Sequence, residues 1–197
     1  MKNIVIFASG AGSNAQRIID HFHGSELGRV ALIVSNNPAA GVLNIAKQEG
    51  IPNLVITRKH FLQPGGMIKL LQELPADLIV LAGFLRKIPA EMVQAFPEKI
   101  VNIHPALLPQ YGGSGMYGHH VHDAVIAAGE IKTGITIHYI NEHYDEGPPI
   151  FRRTVDIDPS DTPQSLAWKV QQLEHDWYPR IIADLLEGKR GKTGDIQ

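Results

Sequence analysis

The chain has 197 residues, 44% of them hydrophobic and 19% charged, with a formal net charge of -2. That length suits one α/β domain with a substantial core, and the balanced charge carries no signature of a nucleic-acid or membrane partner, so small soluble ligands are expected. With no cysteine there is no thiol nucleophile, thiolate metal site or disulfide, which fits a reducing, cytoplasmic compartment, and the five apolar residues after Asn3 are too few for a secretory signal or a membrane span.

Residues 4–8 form a short unbroken apolar run, the pattern of a central parallel strand covered on both faces. The run leads into Ser9-Gly10-Ala11-Gly12-Ser13-Asn14, where Ser13 and Gln16 have capping-box spacing and Ile18, Ile19 and Phe22 supply the apolar side of the helix that follows. A glycine turn at a helix start presents backbone N–H groups at the positive helix end, where a phosphate can bind without a basic cluster. Gly10, Gly12 and Ala15 also match a dinucleotide fingerprint, but the next strand, residues 30–34, ends in Ser35-Asn36-Asn37 without the acid that would hold a ribose. A phosphate site fits better, and a turn serving backbone geometry alone is the plain alternative.

Residues 39–49 read as a helix stopped by Gly50, residues 54–56 as a third strand, and Pro64-Gly65-Gly66 as a break before a helix over 67–73. Residues 77–82 are a strongly apolar fourth strand. This βα alternation predicts a Rossmann-like, mostly parallel sheet with helices on both faces and ligands beyond the carboxyl ends of its strands. The loop Gly83-Phe84-Leu85-Arg86-Lys87-Ile88-Pro89 then combines apolar side chains with two cations, which suits a flat ring with an acidic tail or, equally, a solvated helix entry.

A short helix over 89–95 precedes Val101-Asn102-Ile103-His104-Pro105. Val101 and Ile103 suit the buried side of a strand, so alternation places Asn102 and His104 together on the other face at its end. An amide and an imidazole side by side can stabilise an oxyanion and move a proton; two satisfied polar groups at a strand terminus are the plain alternative. The glycine-rich stretch from Gln110 to Gly118 reads as a loop beside that site. His119, His120, His122 and Asp123 invite a metal; on a helix His119 and His122 could share a face at i and i+3, but no third ligand is specified, so a helix surface or ligand packing is preferred and no metal is expected.

Residues 134–140 alternate Ile135, Ile137 and Tyr139 against Thr136, His138 and Ile140, and a second extended run covers 150–157. Their short connection predicts an antiparallel pair added to the sheet, with Asp145 at its tip. Beside His104 that carboxylate would raise the imidazole pKa and orient the ring; in an ordinary turn it would do nothing chemical. Thr162-Pro163 opens a long closing helix with Leu166, Val170, Leu173, Trp177 and Ile181 at helical spacing, and Gln171 and Glu174 lie at its edge. Residues 188–197 form a polar tail, and nothing specifies an oligomeric state.

Taken together, Ser9-Gly10-Ala11-Gly12-Ser13-Asn14, Leu81-Ala82-Gly83-Phe84-Leu85-Arg86, Asn102-Ile103-His104-Pro105-Ala106-Leu107-Leu108-Pro109, Asp145-Glu146-Gly147-Pro148 and Gln171-Gln172-Leu173-Glu174-His175 resemble the phosphoribosylglycinamide formyltransferase family in order and spacing. The resemblance implies transfer of a formyl group from 10-formyltetrahydrofolate to the amino group of glycinamide ribonucleotide in purine biosynthesis, without a metal. It assigns Asn102, His104 and Asp145 as the catalytic trio. It assigns Gly12, Ser13, Asn14 and Glu174 to the ribonucleotide, and Leu85, Arg86, Lys87, Ile88, Asn102 and Ile140 to the folate. It also implies a phosphate-binding half over about 1–100 and a folate and catalytic half over about 101–187. Two departures stand out: the loop over 112–122 carries extra glycines and histidines, and residues 60–66 lack an arginine. A formyltetrahydrofolate hydrolase or a methionyl-tRNA formyltransferase would share the trio but usually carries a further domain. A non-catalytic nucleotide-binding module would need only the Gly12 turn.

Overall fold

A computed structural model describes residues 1–61, 63 and 65–189; the break expected at Pro64 and the part of the polar tail over 190–197 lie outside the described residues. Strands β1 (Lys2–Phe7), β2 (Gly28–Ser35), β3 (Asn53–Val55), β4 (Ala76–Leu81), β5 (Ile100–His104), β6 (Lys132–Tyr139) and β7 (Pro149–Asp156) form one sheet in the order β3-β2-β1-β4-β5-β6-β7. The first five run parallel, while β6 is antiparallel to β5 and β7 antiparallel to β6. The mostly parallel sheet and its antiparallel C-terminal pair are therefore as the apolar patterns predict.

Strand alternation sorts the core into two layers. From β1 and the residue after it, Ile4, Ile6 and Ala8 face a layer with α1 (Ser13–Phe22), α2 (Gly41–Gln48), α6 (His119–Ala127) and α7 (Pro163–Leu186). Val5 and Phe7 face the opposite layer with α3 (Arg58–Phe61), α4 (Gly66–Glu73) and α5 (Ala90–Ala95). Each fully buried Ile or Val of this kind contributes about 1.5–3 kcal/mol, so burial on both faces is what holds β1 at the centre.

Order reversal at β1 opens a crevice where the carboxyl ends of β1 and β4 diverge into separate connections. The two departing loops are stitched together: Ser9 N–H donates to the Gly83 carbonyl at 3.0 Å, and Leu85 N–H donates to Ser9 Oγ at 2.9 Å. Helix α7 closes the molecule from one side, opened by Thr162 and Ser165 in a reciprocal capping box. Its fully buried Tyr178 hydroxyl reaches the carbonyls of Leu81 at 3.0 Å and Val101 at 3.2 Å, tying the helix to the ends of β4 and β5.

One local expectation is corrected. Ser13 does not cap α1: the N-cap is Gly12 in the left-handed region at φ 88°, with no side-chain cap, and Gln16 reaches Asp20 and Glu49 instead. A Cβ on Gly12 would meet Val42 at 2.8 Å, so glycine is required there for both conformation and space. Helix α6 starts at His119, so the histidines lie on its first turn. No helix among the described residues is long and apolar enough to cross a membrane.

Candidate active site

Asn102 and His104 do share one face at the end of β5, and the antiparallel register sets His138 of β6 directly across from Asn102. His138 is completely buried. Its Nδ1 lies 2.9 Å from the Tyr139 carbonyl, which can only accept, so the proton sits on Nδ1 and the Nε2 lone pair faces Asn102. Asn102 Nδ2 donates to that lone pair at 3.2 Å. Burial, aided by the nearby His104, pushes the His138 pKa below its ordinary value against the pull of the Tyr139 carbonyl and Asp145, so the ring stays neutral. The amide of Asn102 is thereby fixed, with its second N–H left over.

His104 is oriented by the same logic. Its Nε2 stands 2.7 Å from the Tyr111 carbonyl and must donate to it, which leaves Nδ1 as the nitrogen able to exchange a proton. Asp145 Oδ2 faces Nδ1 at 3.6 Å, an ion-pair separation and not a hydrogen bond. Asp145 adopts a left-handed φ of 54°, uncommon outside glycine, and Gly113 N–H holds its Oδ2 at 2.9 Å. The other carboxylate oxygen lies 3.7 Å from His138 Nε2. Asn102, His104 and Asp145 therefore converge, with His138 as a fourth member.

Asn102, His104 and Asp145 line a cavity of about 580 Å³, with His138 buried behind Asn102. Leu85, Arg86, Lys87, Ile88 and Ile140 also line it, as do Asn14 and Glu174. Lys87 lies 5.4 Å over the ring of Tyr144, another residue of the wall, so one of the two loop cations stands on an aromatic face. Asn14 Nδ2 donates to Glu174 Oε2 at 2.8 Å, while Asn14 Oδ1 is buried without a hydrogen-bond partner among the described residues. Burial raises the Glu174 pKa to about 7, opposed only by the Asn14 hydrogen bond. Asn14 and Glu174 thus offer a ligand both a bare acceptor and a carboxyl that titrates near neutrality.

Gly12 and Ser13 do not line the cavity; Ser13 Oγ instead accepts from Gln171 Nε2 at 3.3 Å, and Gln171 is itself in the wall. With no side-chain cap, the first-turn N–H groups of α1 remain available to an anion beside the cavity. His119 and His122 both reach the cavity wall, on one helix face as their spacing suggests. Exposed His119, His120 and Asp123 bring ligand atoms within 4.8 Å of one another, but they sit at the positive end of α6, which works against a cation.

Sequence reading missed His138 and Tyr111. Alternation puts His138 on the face of Thr136 and Ile140, but only the β5–β6 register makes it a neighbour of Asn102. Tyr111 acts through a backbone carbonyl, which side-chain chemistry does not reveal.

A family model described as formyl transferase matches residues 2–182. A chloroplastic phosphoribosylglycinamide formyltransferase of Arabidopsis thaliana is 40% identical over 94% of this chain, and one of Vigna unguiculata 38% identical; the chain spans 66% and 61% of their lengths. The phosphoribosylglycinamide formyltransferase of Haemophilus influenzae is 37% identical, covering 96% of this chain and 89% of that protein. Among solved structures, the phosphoribosylglycinamide formyltransferase of Bacillus halodurans superposes with a TM-score of 0.86 at 34% identity, over 98% of this chain and 100% of the other. That of Anaplasma phagocytophilum does so at 0.87 and 33%, over 95% and 87%. The fold, the match along residues 2–182 and these relatives together show that the chain belongs to the phosphoribosylglycinamide formyltransferase family of formyl transferases.

Proposed function

We propose that this chain transfers the formyl group of 10-formyltetrahydrofolate to the amino group of glycinamide ribonucleotide in de novo purine (IMP) biosynthesis, giving formylglycinamide ribonucleotide and tetrahydrofolate. The observation that carries this reading is the convergence of Asn102, His104 and Asp145 in one cavity with Asn14 and Glu174. The folate ring would lie against Leu85, Ile88, Ile140 and Asn102, with Arg86 and Lys87 available to its acidic tail. The ribonucleotide phosphate would take the uncapped N–H groups at Gly12, Ser13 and Asn14, and its ribose or glycinamide end would meet Asn14 Oδ1 and Glu174.

In the transfer, the amine nitrogen bonds to the formyl carbon, and the carbonyl electron pair moves onto oxygen. The free N–H of Asn102 stabilises that oxyanion, joined by His104 once its Nδ1 carries the proton it relays. The attacking nitrogen loses a proton, the folate nitrogen gains one through His104 Nδ1, and the carbon–nitrogen bond to the folate breaks as the carbonyl reforms. Asp145 faces Nδ1, where positive charge develops during the relay, and can order a water beside it. No step calls on a metal.

The cavity draws on both parts of the chain, with Asn14 and residues 85–88 from the first hundred positions and Asn102, His104, Ile140, Asp145 and Glu174 from the rest. This supports a single catalytic domain in place of two separable ones. A cytoplasmic setting with small-molecule partners alone fits the cysteine-free, near-neutral composition. The test is an assay of purified protein for formylated ribonucleotide, with each substrate omitted in turn. Product is expected only when both are present.

A further inference from the structure

Tyr111 reaches in two directions from a constrained backbone. Its carbonyl accepts from His104 Nε2 at 2.7 Å, and its hydroxyl donates to Glu130 Oε1 at 2.8 Å. Between those contacts the residue holds a left-handed φ of 55°, which a tyrosine adopts only where its surroundings impose it. Glu130 is fixed in turn by the end of α6, its N–H donating to the Val125 carbonyl at 3.4 Å. Beyond Tyr111 the chain stays in the site for two more residues. A Cβ on Gly112 would approach Leu108 Cδ2 at 2.5 Å and Asp145 Cβ at 3.2 Å, and Gly113 N–H holds Asp145 Oδ2. Three consecutive residues thus grip His104, pack on Asp145 and hydrogen-bond Asp145.

We propose that the Tyr111–Glu130 hydrogen bond is a positioning device that pins residues 111–113, so that the Tyr111 carbonyl locks His104 in its Nε2–H tautomer and the Gly113 amide locks Asp145 opposite Nδ1. The proposal rests on His104 being the proton-transferring group of the function proposed above. A ring flip would turn carbon toward both partners and remove the proton-exchanging nitrogen from Asp145. The segment needs such an anchor because the next residues offer little of their own: Gly113, Gly115 and Gly118 all have positive φ, and Ser114, Gly115, Tyr117 and Gly118 are exposed. The phenol is suited to the task, since the Glu130 carboxylate raises its pKa and keeps its proton in place. Tyr111 and Glu130 are positioning residues; neither needs to touch a substrate.

The experiment labels histidine with ¹⁵N in the full chain and reads the His104 tautomer by long-range proton–nitrogen correlation, alongside steady-state kinetics, for wild type, Tyr111→Phe, Glu130→Gln and Glu130→Ala. Wild type is expected to show His104 with the proton on Nε2 alone. Tyr111→Phe should show mixed tautomers, with kcat lower by roughly 10- to 100-fold and KM for both substrates changed less than about twofold. Glu130→Gln keeps an oxygen that accepts from the phenol and should retain most of the wild-type behaviour, whereas Glu130→Ala should repeat Tyr111→Phe even where that variant folds poorly. A single Nε2–H tautomer and wild-type kcat in both Tyr111→Phe and Glu130→Ala would overturn the proposal. So would a lower melting temperature with the tautomer unchanged, or an Nδ1–H tautomer in wild type. If wild type forms no formylated ribonucleotide, the function fails separately, and the tautomer spectra still decide whether the device exists.

Discussion

Asn102 owes its orientation to His138 on the neighbouring strand, and that dependence is directly testable. Removing the ring in His138→Ala frees the amide to rotate, so kcat should fall by roughly tenfold, less than the 10²–10³ expected for loss of the oxyanion donor itself in Asn102→Ala. Equal losses in the two variants would show that His138 contributes more than orientation. Glu174 makes a different prediction. Its carboxyl keeps a proton up to about pH 7 in the fold but only to about 4.5 when exposed, so the folded chain binds the extra proton between those values. Stability should therefore decline as pH rises through that window, by on the order of 2 kcal/mol once cavity water is allowed for. Urea denaturation of Glu174→Gln should lack this decline; an identical pH dependence in both proteins would contradict the shifted titration. At this scale the sequence points to a group where the proposed chemistry belongs to a side chain on a patterned strand, as with His104, whereas Asp145 in its turn is reached only through the family resemblance. It is silent where a backbone carbonyl does the work, as with Tyr111.

Elements position these residues more by their ends than by their lengths. Besides its apolar packing, helix α7 is hydrogen-bonded to the sheet by the Tyr178 hydroxyl, shared between the last residue of β4 and the second residue of β5, next to Asn102. Tyr178→Phe should cost about 1–3 kcal/mol, because it leaves two buried carbonyls without that donor, and urea unfolding measures it. A loss near zero would mean that apolar packing alone docks the helix. The helix itself was readable from Leu166, Val170 and Ile181 at helical spacing behind a true capping box. The start of α1 was misread because Ser13 and Gln16 have the spacing of a box while Gly12, held left-handed against Val42, takes the cap position. Local pattern supplies candidates for a cap, and tertiary packing chooses among them.

For the whole molecule, the apolar runs specify a doubly covered parallel sheet because each strand must bury both faces, and the short 140–148 connection specifies the antiparallel pair. What the runs do not specify is the order of strands. That order places the β1 and β4 exits side by side, and the β5–β6 register then brings His138 to Asn102. Asp145 arrives from a separate turn to face His104. The candidate site is thus a property of topology, assembled from segments far apart in the chain, and its chemistry follows only once they meet. The most direct measurement of that claim is the rate at which the purified full chain forms formylglycinamide ribonucleotide from glycinamide ribonucleotide and 10-formyltetrahydrofolate, in wild type and in His104→Ala. Formylation that needs both substrates and falls by at least roughly 100-fold in the variant is predicted; no formylation by wild type, or an undiminished rate in His104→Ala, would contradict it.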